Sequence, residues 1–220
     1  MGRIDYLEAW QLQKDLHALV AGGVLGNVLL ILEHPHVFTL GRRGADSDIL
    51  ATSEELARLG VDVHHIDRGG QVTYHGPGQL VGYTIVNLRD QGIGPLCFVR
   101  SLEEVIKSTL EEFGIVVEIG QRPTGVWVGG SKIAAIGIKV SKGVTTHGFA
   151  VNVNPDLRYF DRIVPCGMAG VEITSMISER PDLGFDSQEI IPVIVDHFGK
   201  VFNYSTELVN MEYFQQICEI

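Results

Sequence analysis

The sequence is organised around one glycine-rich stretch, Arg68-Gly69-Gly70-Gln71-Val72-Thr73-Tyr74-His75-Gly76-Pro77-Gly78-Gln79-Leu80-Val81-Gly82-Tyr83. Five glycines and one proline alternate here with seven side chains that can form hydrogen bonds or carry charge. Glycine lets the backbone approach a ligand closely. Arg68 can grip an anion or a carbonyl through its planar donors, and His75 can exchange a proton near neutral pH. These properties are typical of a ligand-binding loop.

The ends of the stretch also predict secondary structure. Residues 72–74 and 80–86 are rich in β-branched and aromatic residues, and Gly76-Pro77-Gly78 lies between them. This pattern predicts a β-hairpin with a Gly-Pro-Gly turn, whether or not its loop is functional. A hairpin with a purely structural loop is the alternative to a binding site.

Composition places the chain among ordinary globular proteins. It has 220 residues, 45% of them hydrophobic and 20% charged, and a net charge of −10. We expect one domain over 1–220, with a weakly patterned tail after about 203. The negative charge argues against nonspecific binding of nucleic acid. An acidic protein partner would need a local basic patch, for which the candidates are Arg42, Arg43, Arg68, Lys139, Lys142, Arg158 and Arg162.

The cysteines and the N-terminus indicate a compartment. Cys97, Cys166 and Cys218 are widely spaced and form no CxxC pair, which argues against a disulfide framework or a cysteine zinc site. His34 and His36 are separated by a proline, which favours a turn over a metal site. The N-terminus resembles no signal or transit peptide, and no apolar run is long enough to span a membrane. We therefore expect a cytoplasmic protein.

Hydrophobic periodicity predicts an α/β protein. The expected helices are 6–20, 53–59, 95–113 and 187–202, and the expected strands are 28–32, 61–66, 115–119, 125–128, 131–140 and 144–153. Tight turns are predicted at Gly129-Gly130 and at 141–143. Strict alternation in 131–140 would put Lys132 on the face of Ala134 and Ile136, and Ala135 with Gly137 on the opposite face.

Two neighbouring strands carry small residues at their centres. Ala135 and Gly137 lie in one, and Gly148 and Ala150 lie in the next. Missing side chains leave room beside a sheet. The gaps favour equally a narrow slot for a ligand and close packing of the sheet against a helix.

Two cysteines are candidates for opposite roles. Cys166 lies in a loop between Pro165 and Gly167, a setting typical of a nucleophile. Cys97 lies near a helix N-terminus between apolar residues, which favours a buried structural thiol over a reactive one. A nearby ammonium such as that of Lys132 would favour the thiolate of Cys166. A cysteine, a lysine and a glycine-rich loop together suit acyl transfer through a thioester.

These motifs are similar to those of the lipoyl(octanoyl) transferases. The resemblance covers the glycine-rich stretch, Lys132-Ile133-Ala134-Ala135-Ile136-Gly137, His147-Gly148-Phe149-Ala150-Val151-Asn152 and Pro165-Cys166-Gly167. The separation of Lys132 from Cys166 along the chain agrees as well. The similarity extends from about residue 33 to about residue 175.

The resemblance implies a fold and a function. The fold would be a single α/β (α+β) domain with a mixed sheet flanked by helices, as in the biotin and lipoate protein ligases. Cys166 would carry the acyl group as a thioester and Lys132 would lower the pKa of its thiol. The implied acyl pocket consists of Arg68, Gly69, Gly70, Gln71, Val72, Thr73, Tyr74, His75, Ala135, Ile136, Gly137, Gly148, Phe149 and Ala150.

The resemblance also implies the reaction partners. The donor would be octanoyl-acyl carrier protein, and the acceptors would be lipoyl domains of 2-oxoacid dehydrogenase E2 subunits and the glycine cleavage H protein. No ATP, metal, nucleic acid or membrane is expected. The role of His75 stays open between proton carrier and support of the loop.

Three alternatives remain at this point. An ATP-dependent lipoate or biotin ligase of the same fold would form an acyl-adenylate and would not need Cys166. A non-catalytic module would bind carrier domains without forming an adduct. A thioesterase is disfavoured because no residue is obviously placed to activate a hydrolytic water.

Overall fold

A five-stranded sheet lies at the centre of the computed structural model, which describes residues 2–120, 122–164, 170–210 and 214. Its strands are β1 (Val28–Leu32), β5 (Gln79–Ile85), β6 (Val126–Val128), β7 (Ser131–Ser141) and β8 (Val144–Asn152). Their order is β1-β5-β8-β7-β6, and all neighbours are antiparallel. The turns predicted at Gly129-Gly130 and at 141–143 connect β6 to β7 and β7 to β8, with positive φ at Lys142 and Gly143.

A second, three-stranded sheet lies beside the first. It contains β2 (Val37–Leu40), β3 (Asp62–His65) and β4 (Val72–His75) in the order β3-β2-β4. β2 is parallel to β3 and antiparallel to β4. The mixed pairing that the resemblance implied for the helix-flanked sheet therefore occurs in this smaller sheet, whereas the large sheet is antiparallel.

Helices pack around the two sheets. They are α1 (Tyr6–Ala21), α2 (Ser53–Leu59), α3 (Pro95–Glu112), α4 (Met176–Glu179) and α5 (Ser187–Phe202), with 3₁₀ helices at Asp46–Asp48 and Leu157–Arg162. Apolar residues of α3 and α5 form a core with Phe149 and Val151 of β8. α1 packs on the opposite face, where Val81 and Tyr83 of β5 point. This two-sided packing confirms the predicted α/β class. Within the described ranges no helix is both long and apolar enough to cross a bilayer.

The predicted hairpin is wrong. β4 and β5 exist near their predicted bounds, but β4 pairs with β2 whereas β5 pairs with β1 and β8. The Gly76-Pro77-Gly78 segment therefore carries the chain from one sheet to the other. Local turn residues favour a reversal of direction, but pairing with distant strands completes two sheets and buries more apolar surface.

Two smaller predictions are also wrong. Residues 115–119 form no strand; only Glu118 pairs there, in an isolated bridge with Trp127. Cys97 is exposed, and neighbouring Leu96 is 71% exposed, because Phe98 rather than Leu96 begins the buried stripe of α3. A helix can turn its first residues to solvent whatever their hydropathy, since its inward face is set by packing further along.

A substitution at a central glycine of the large sheet would show how tightly its strands pack. A Cβ at Gly148 would collide with the carbonyl oxygen of Gly82 on β5. We expect Gly148→Ala to lower the free energy of unfolding by about 1–3 kcal/mol, the usual cost of overpacking. Urea unfolding followed by circular dichroism would measure it.

Gly184→Ala is the matched control, because nothing lies within 4 Å of a Cβ at that position. A Gly148→Ala protein as stable as the control would show that β5 and β8 can move apart without cost.

Candidate active site

A cavity of about 380 Å³ lies between the two sheets. Lys132 lines it, as do thirteen of the fourteen predicted pocket residues. These thirteen are Arg68, Gly69, Gly70, Gln71, Val72, Thr73, His75, Ala135, Ile136, Gly137, Gly148, Phe149 and Ala150. Sequence reasoning did not place six further residues in its lining: Tyr6, Arg43, Tyr83, Pro123, Thr124 and His147. The predicted slot is present, because Ala135, Gly137, Gly148 and Ala150 all line this cavity. The Phe149 ring fills the space beside Gly82 of the neighbouring strand.

Tyr74 is the exception among the predicted pocket residues. Alternate residues of a strand face opposite sides, and Thr73 and His75 take the cavity side of β4. Tyr74 is fully buried on the other side, where its hydroxyl lies 2.9 Å from Nδ1 of His36 and its ring stacks on Tyr159. Its side chain therefore supports the small sheet from behind.

A β-bulge decides which way Lys132 points. Val126 of β6 pairs with Ala134, but the next residue, Trp127, pairs with Lys132, so Ile133 is an extra residue in β7. Ile133 and Ala134 are consecutive and both lie in the core with α3. Lys132 instead lines the cavity with Ala135 and Gly137, contrary to the strict alternation expected from the sequence.

The ammonium of Lys132 is enclosed. The residue is 5% exposed, and its Nζ donates to the carbonyl oxygen of Thr124 at 3.0 Å and lies 5.0 Å from the centre of the Trp127 ring. Its backbone is held too, because its N–H donates to Glu172 and its carbonyl accepts from Thr174. A buried cation with a carbonyl and an aromatic face as neighbours keeps a fixed position.

Cys166 lies outside the described residues, as does Cys218. Described residues near Cys166 in the sequence form backbone hydrogen bonds with other parts of the chain. The Val164 amide donates to the carbonyl of Asp48, and Glu172 is bonded to the Lys132 amide as above. Five residues lie between Cys166 and Glu172 in the sequence.

Arg68 shapes the wall. It is 8% exposed, and its Nη2 donates to both the carbonyl and the hydroxyl of Thr39 while Nη1 donates to the Gly69 carbonyl. A Cβ at Gly41 would come too close to Arg68, and a Cβ at Gly137 would come too close to both Arg68 and Gly69. The guanidinium therefore ties the glycine-rich loop to β2, a use of its planar donors that the sequence did not specify.

His147 of the cavity lining is held by a neighbouring ion pair. His147 Nε2 lies 2.8 Å from Asp67, which also accepts from Lys139 at 2.6 Å. The bond from His147, with that from Lys139, holds the pKa of Asp67 well below its usual range, while burial lowers the pKa of His147. His147 takes a positive φ of 60° within β8, and Gln13 of α1 accepts its backbone N–H. Such strain in a non-glycine residue is typical of functional sites.

Comparison with known proteins identifies the family. Residues 5–199 match the family described as "Lipoyl protein ligase A/B catalytic domain". The chain belongs to this family. It is 44% identical to the octanoyltransferase of Acidobacterium capsulatum, with 93% of this chain and 89% of that protein covered. It is 47% identical to that of Solibacter usitatus (93% and 91% covered) and 39% identical to a mitochondrial octanoyltransferase of Arabidopsis thaliana (93% and 87%).

The octanoyltransferase relatives make the chain an acyltransferase. Solved structures agree with the fold. Lipoate-protein ligase A bound with ATP superposes with a TM-score of 0.72 at 14% identity, covering 94% of this chain and 88% of the ligase. A structure of the lipoylation system of Thermoplasma acidophilum gives 0.68 at 13% identity, covering 94% and 86%.

A buried glutamate supports the lysine of this acyltransferase. Glu103 of α3 has a fully buried side chain, which accepts the Gly125 amide at 3.0 Å and pairs with Arg100 at 2.5 Å. Gly125 follows Thr124, the residue that accepts from Lys132. Glu103 therefore fixes the loop that holds the Lys132 ammonium. The one signal in the sequence is an acidic residue within the predicted apolar stripe of the helix.

We expect Glu103→Leu to lower the free energy of unfolding by about 1–3 kcal/mol, because the Gly125 amide loses its partner. The rate of acyl transfer should fall by more than the loss of folded protein explains, because the Thr124 carbonyl no longer has a fixed position. Urea unfolding and a transfer assay on the folded protein would measure the two effects.

Glu104→Leu is the matched control, because Glu104 is 44% exposed and pairs with Lys107 at the surface. It should change stability by less than about 0.5 kcal/mol. Equal effects of the two substitutions would contradict a positioning role for Glu103.

Proposed function

We propose that this acyltransferase moves an octanoyl group from acyl carrier protein to a lysine of lipoyl domains, through a thioester on Cys166. The observation that carries the proposal is the cavity between the sheets, which the buried residue Lys132 lines together with small residues of β7 and β8 such as Ala135, Gly137, Gly148 and Ala150. The octanoyltransferase relatives, aligned over nearly the whole chain, support the choice of acyl group.

The cavity suits a medium-length apolar chain. Its volume of about 380 Å³ falls in the range of roughly 300–1,000 Å³ typical of small-molecule sites. Burying the methylenes of an octanoyl chain at about 0.8 kcal/mol each contributes roughly 5 kcal/mol. That attraction would retain the acyl group while one carrier leaves and another arrives.

Lys132 supplies the charge that the first step needs. The thiolate of Cys166 attacks the carbonyl of the donor thioester, the new C–S bond forms, and the carrier thiolate leaves. An ammonium near the thiol favours the thiolate by opposite charge. Exchange of one thioester for another is nearly isoenergetic, so no ATP is required. Attack by a lysine amine on the acyl-enzyme then forms the more stable amide.

An acidic carrier would be attracted by an exposed basic residue beside the cavity. Of the seven basic candidates, Arg158, Arg162 and Lys139 are paired with Asp156, Glu55 and Asp67. Arg43 is exposed and lines the cavity, and within the described ranges it has no ion-pair partner. We infer that Arg43 contributes to docking of the carriers. The carriers proposed here are those of the cytoplasm, whereas the Arabidopsis relative is mitochondrial.

Mass spectrometry tests the thioester directly. Incubation with octanoyl-acyl carrier protein in the absence of ATP should add one octanoyl group to the protein, and Cys166→Ala should abolish both this adduct and transfer, because no other thiol takes its place. Exposed Cys97 provides the control: Cys97→Ala should keep both. Transfer that requires ATP, with no adduct, would favour a ligase, and carrier binding with neither adduct nor transfer would favour a binding module.

Thiol alkylation tests the role of Lys132. We expect Lys132→Ala to slow alkylation of Cys166 near neutral pH and to shift the alkylation profile to higher pH, because the thiolate loses its cation. Rates with iodoacetamide across pH, measured in a background with both Cys97→Ala and Cys218→Ala, would show this. An unchanged profile would mean that Lys132 does not lower the pKa of the thiol.

A further inference from the structure

A line of buried side-chain amides runs away from the cavity behind His75. His75 Nδ1 lies 2.7 Å from Oε1 of Gln79, and Nε2 of Gln79 donates to Oδ1 of Asn152 at 2.9 Å. Nδ2 of Asn152 donates to the carbonyl of Thr174 at 2.9 Å, and the amide of Thr174 donates to the carbonyl of Lys132. The line therefore joins the histidine of the cavity to the strand that carries the lysine.

The far end of this line fixes the direction of every bond in it. A backbone carbonyl only accepts, so Asn152 must present its NH₂ to Thr174 and its oxygen to Gln79. Gln79 must then present its NH₂ to Asn152 and its oxygen to His75. The remaining partner of that oxygen, Nδ1 of His75, has to donate. His75 is thus held as the tautomer with the proton on Nδ1, and Nε2 has its lone pair free to accept.

The surroundings of His75 hold the ring in place and keep it neutral. Tyr6 of α1 stacks on it at 6.1 Å, and His34 meets it edge-on at 5.8 Å. Burial, with the nearby His34, Arg68 and His147, holds the pKa of His75 well below its usual value. His75 is 7% exposed and lines the cavity, and within the described ranges no residue bonds to its Nε2.

We propose that Gln79 and Asn152 are positioning residues that aim Nε2 of His75 into the cavity as the base for the second half of the reaction. This inference rests on the proposed function. An octanoyl chain has no hydrogen-bond donor that could bind to Nε2 of His75. The group that Nε2 accepts a proton from must therefore belong to the reacting end of a substrate. The proton that must be removed there belongs to the lysine amine that attacks the thioester.

The proton balance separates the two halves of the reaction. When the amine attacks, the C–N bond forms, the C–S bond breaks, and its electron pair leaves on the Cys166 sulfur. The attacking nitrogen then carries one proton too many, which passes to Nε2 of His75. The imidazolium returns it to the thiolate or to solvent. Acylation starts from a thiolate that has already lost its proton, so it makes no demand on His75.

The first test compares the two half-reactions in Gln79→Met, which has similar size but cannot accept from Nδ1. Octanoyl-acyl carrier protein acylates the enzyme, and the isolated acyl-enzyme is mixed with a lipoyl domain. Acylation should stay within about threefold of wild type, whereas amide formation should fall at least about tenfold, since general bases contribute roughly 10²–10⁴. Equal loss in both half-reactions, or loss in neither, would overturn the proposal.

The second test uses Gln79→Glu, which keeps an acceptor for Nδ1 but adds a negative charge. The charge should raise the pKa of His75, so the acidic limb of amide formation should move to higher pH. A merely structural role predicts no such movement, and a stationary limb would overturn the proposal even if Gln79→Met fails to fold.

Thr109→Val is the control for loss of a buried hydrogen bond, because Thr109 donates to Val105 within α3. Both half-reactions should be unaffected in this variant. A wild-type protein that forms no acyl-enzyme would contradict the proposed function itself, whereas an acyl-enzyme with normal kinetics in both Gln79 variants would contradict only the role of Gln79 and His75.

Discussion

The extra residue in β7 is the constraint on which the site depends. Regular pairing would direct Lys132 to the same face as Ala134 and Ile136, into the core against α3. An ammonium buried there without partners would cost several kcal/mol. The bulge at Ile133 turns Lys132 to the cavity side while the strand beyond it keeps its apolar residues in the core. A shift of one residue in strand register thus decides whether Lys132 faces the core or the cavity.

The polar groups around the cavity are held by partners that lie outside it. Arg68 is tied to Thr39, the Lys132 ammonium to Thr124, and His75 to Gln79. Each contact uses a backbone carbonyl or a side chain that is itself fixed, so a group that reaches the cavity is already oriented before a substrate arrives. Such preorganisation reduces the entropy that has to be lost in the reaction.

Buried acids and amides complete this support, and their positions could not be read from the sequence. Glu103 acts through Gly125, and Asn152 acts through Gln79. Both pairs join residues far apart in the chain, and no local pattern links them. Glu103 was recognisable only as an acid on an apolar helix face. Gln79 and Asn152 belonged to recognisable motifs, but their contact arises because β5 and β8 are neighbours.

The sequence by itself determined the class of the fold and most helices and strands, because periodic burial is a local property. Its motifs, through their resemblance to a known family, also indicated most of the residues that line the cavity. Tertiary structure decided three things. It separated β4 from β5 into different sheets, turned Tyr74 away from the cavity, and brought Lys132 into it. The physical reason is common to all three: strand partners and register are set by contacts between distant segments, and a change of one residue reverses the face that a side chain occupies.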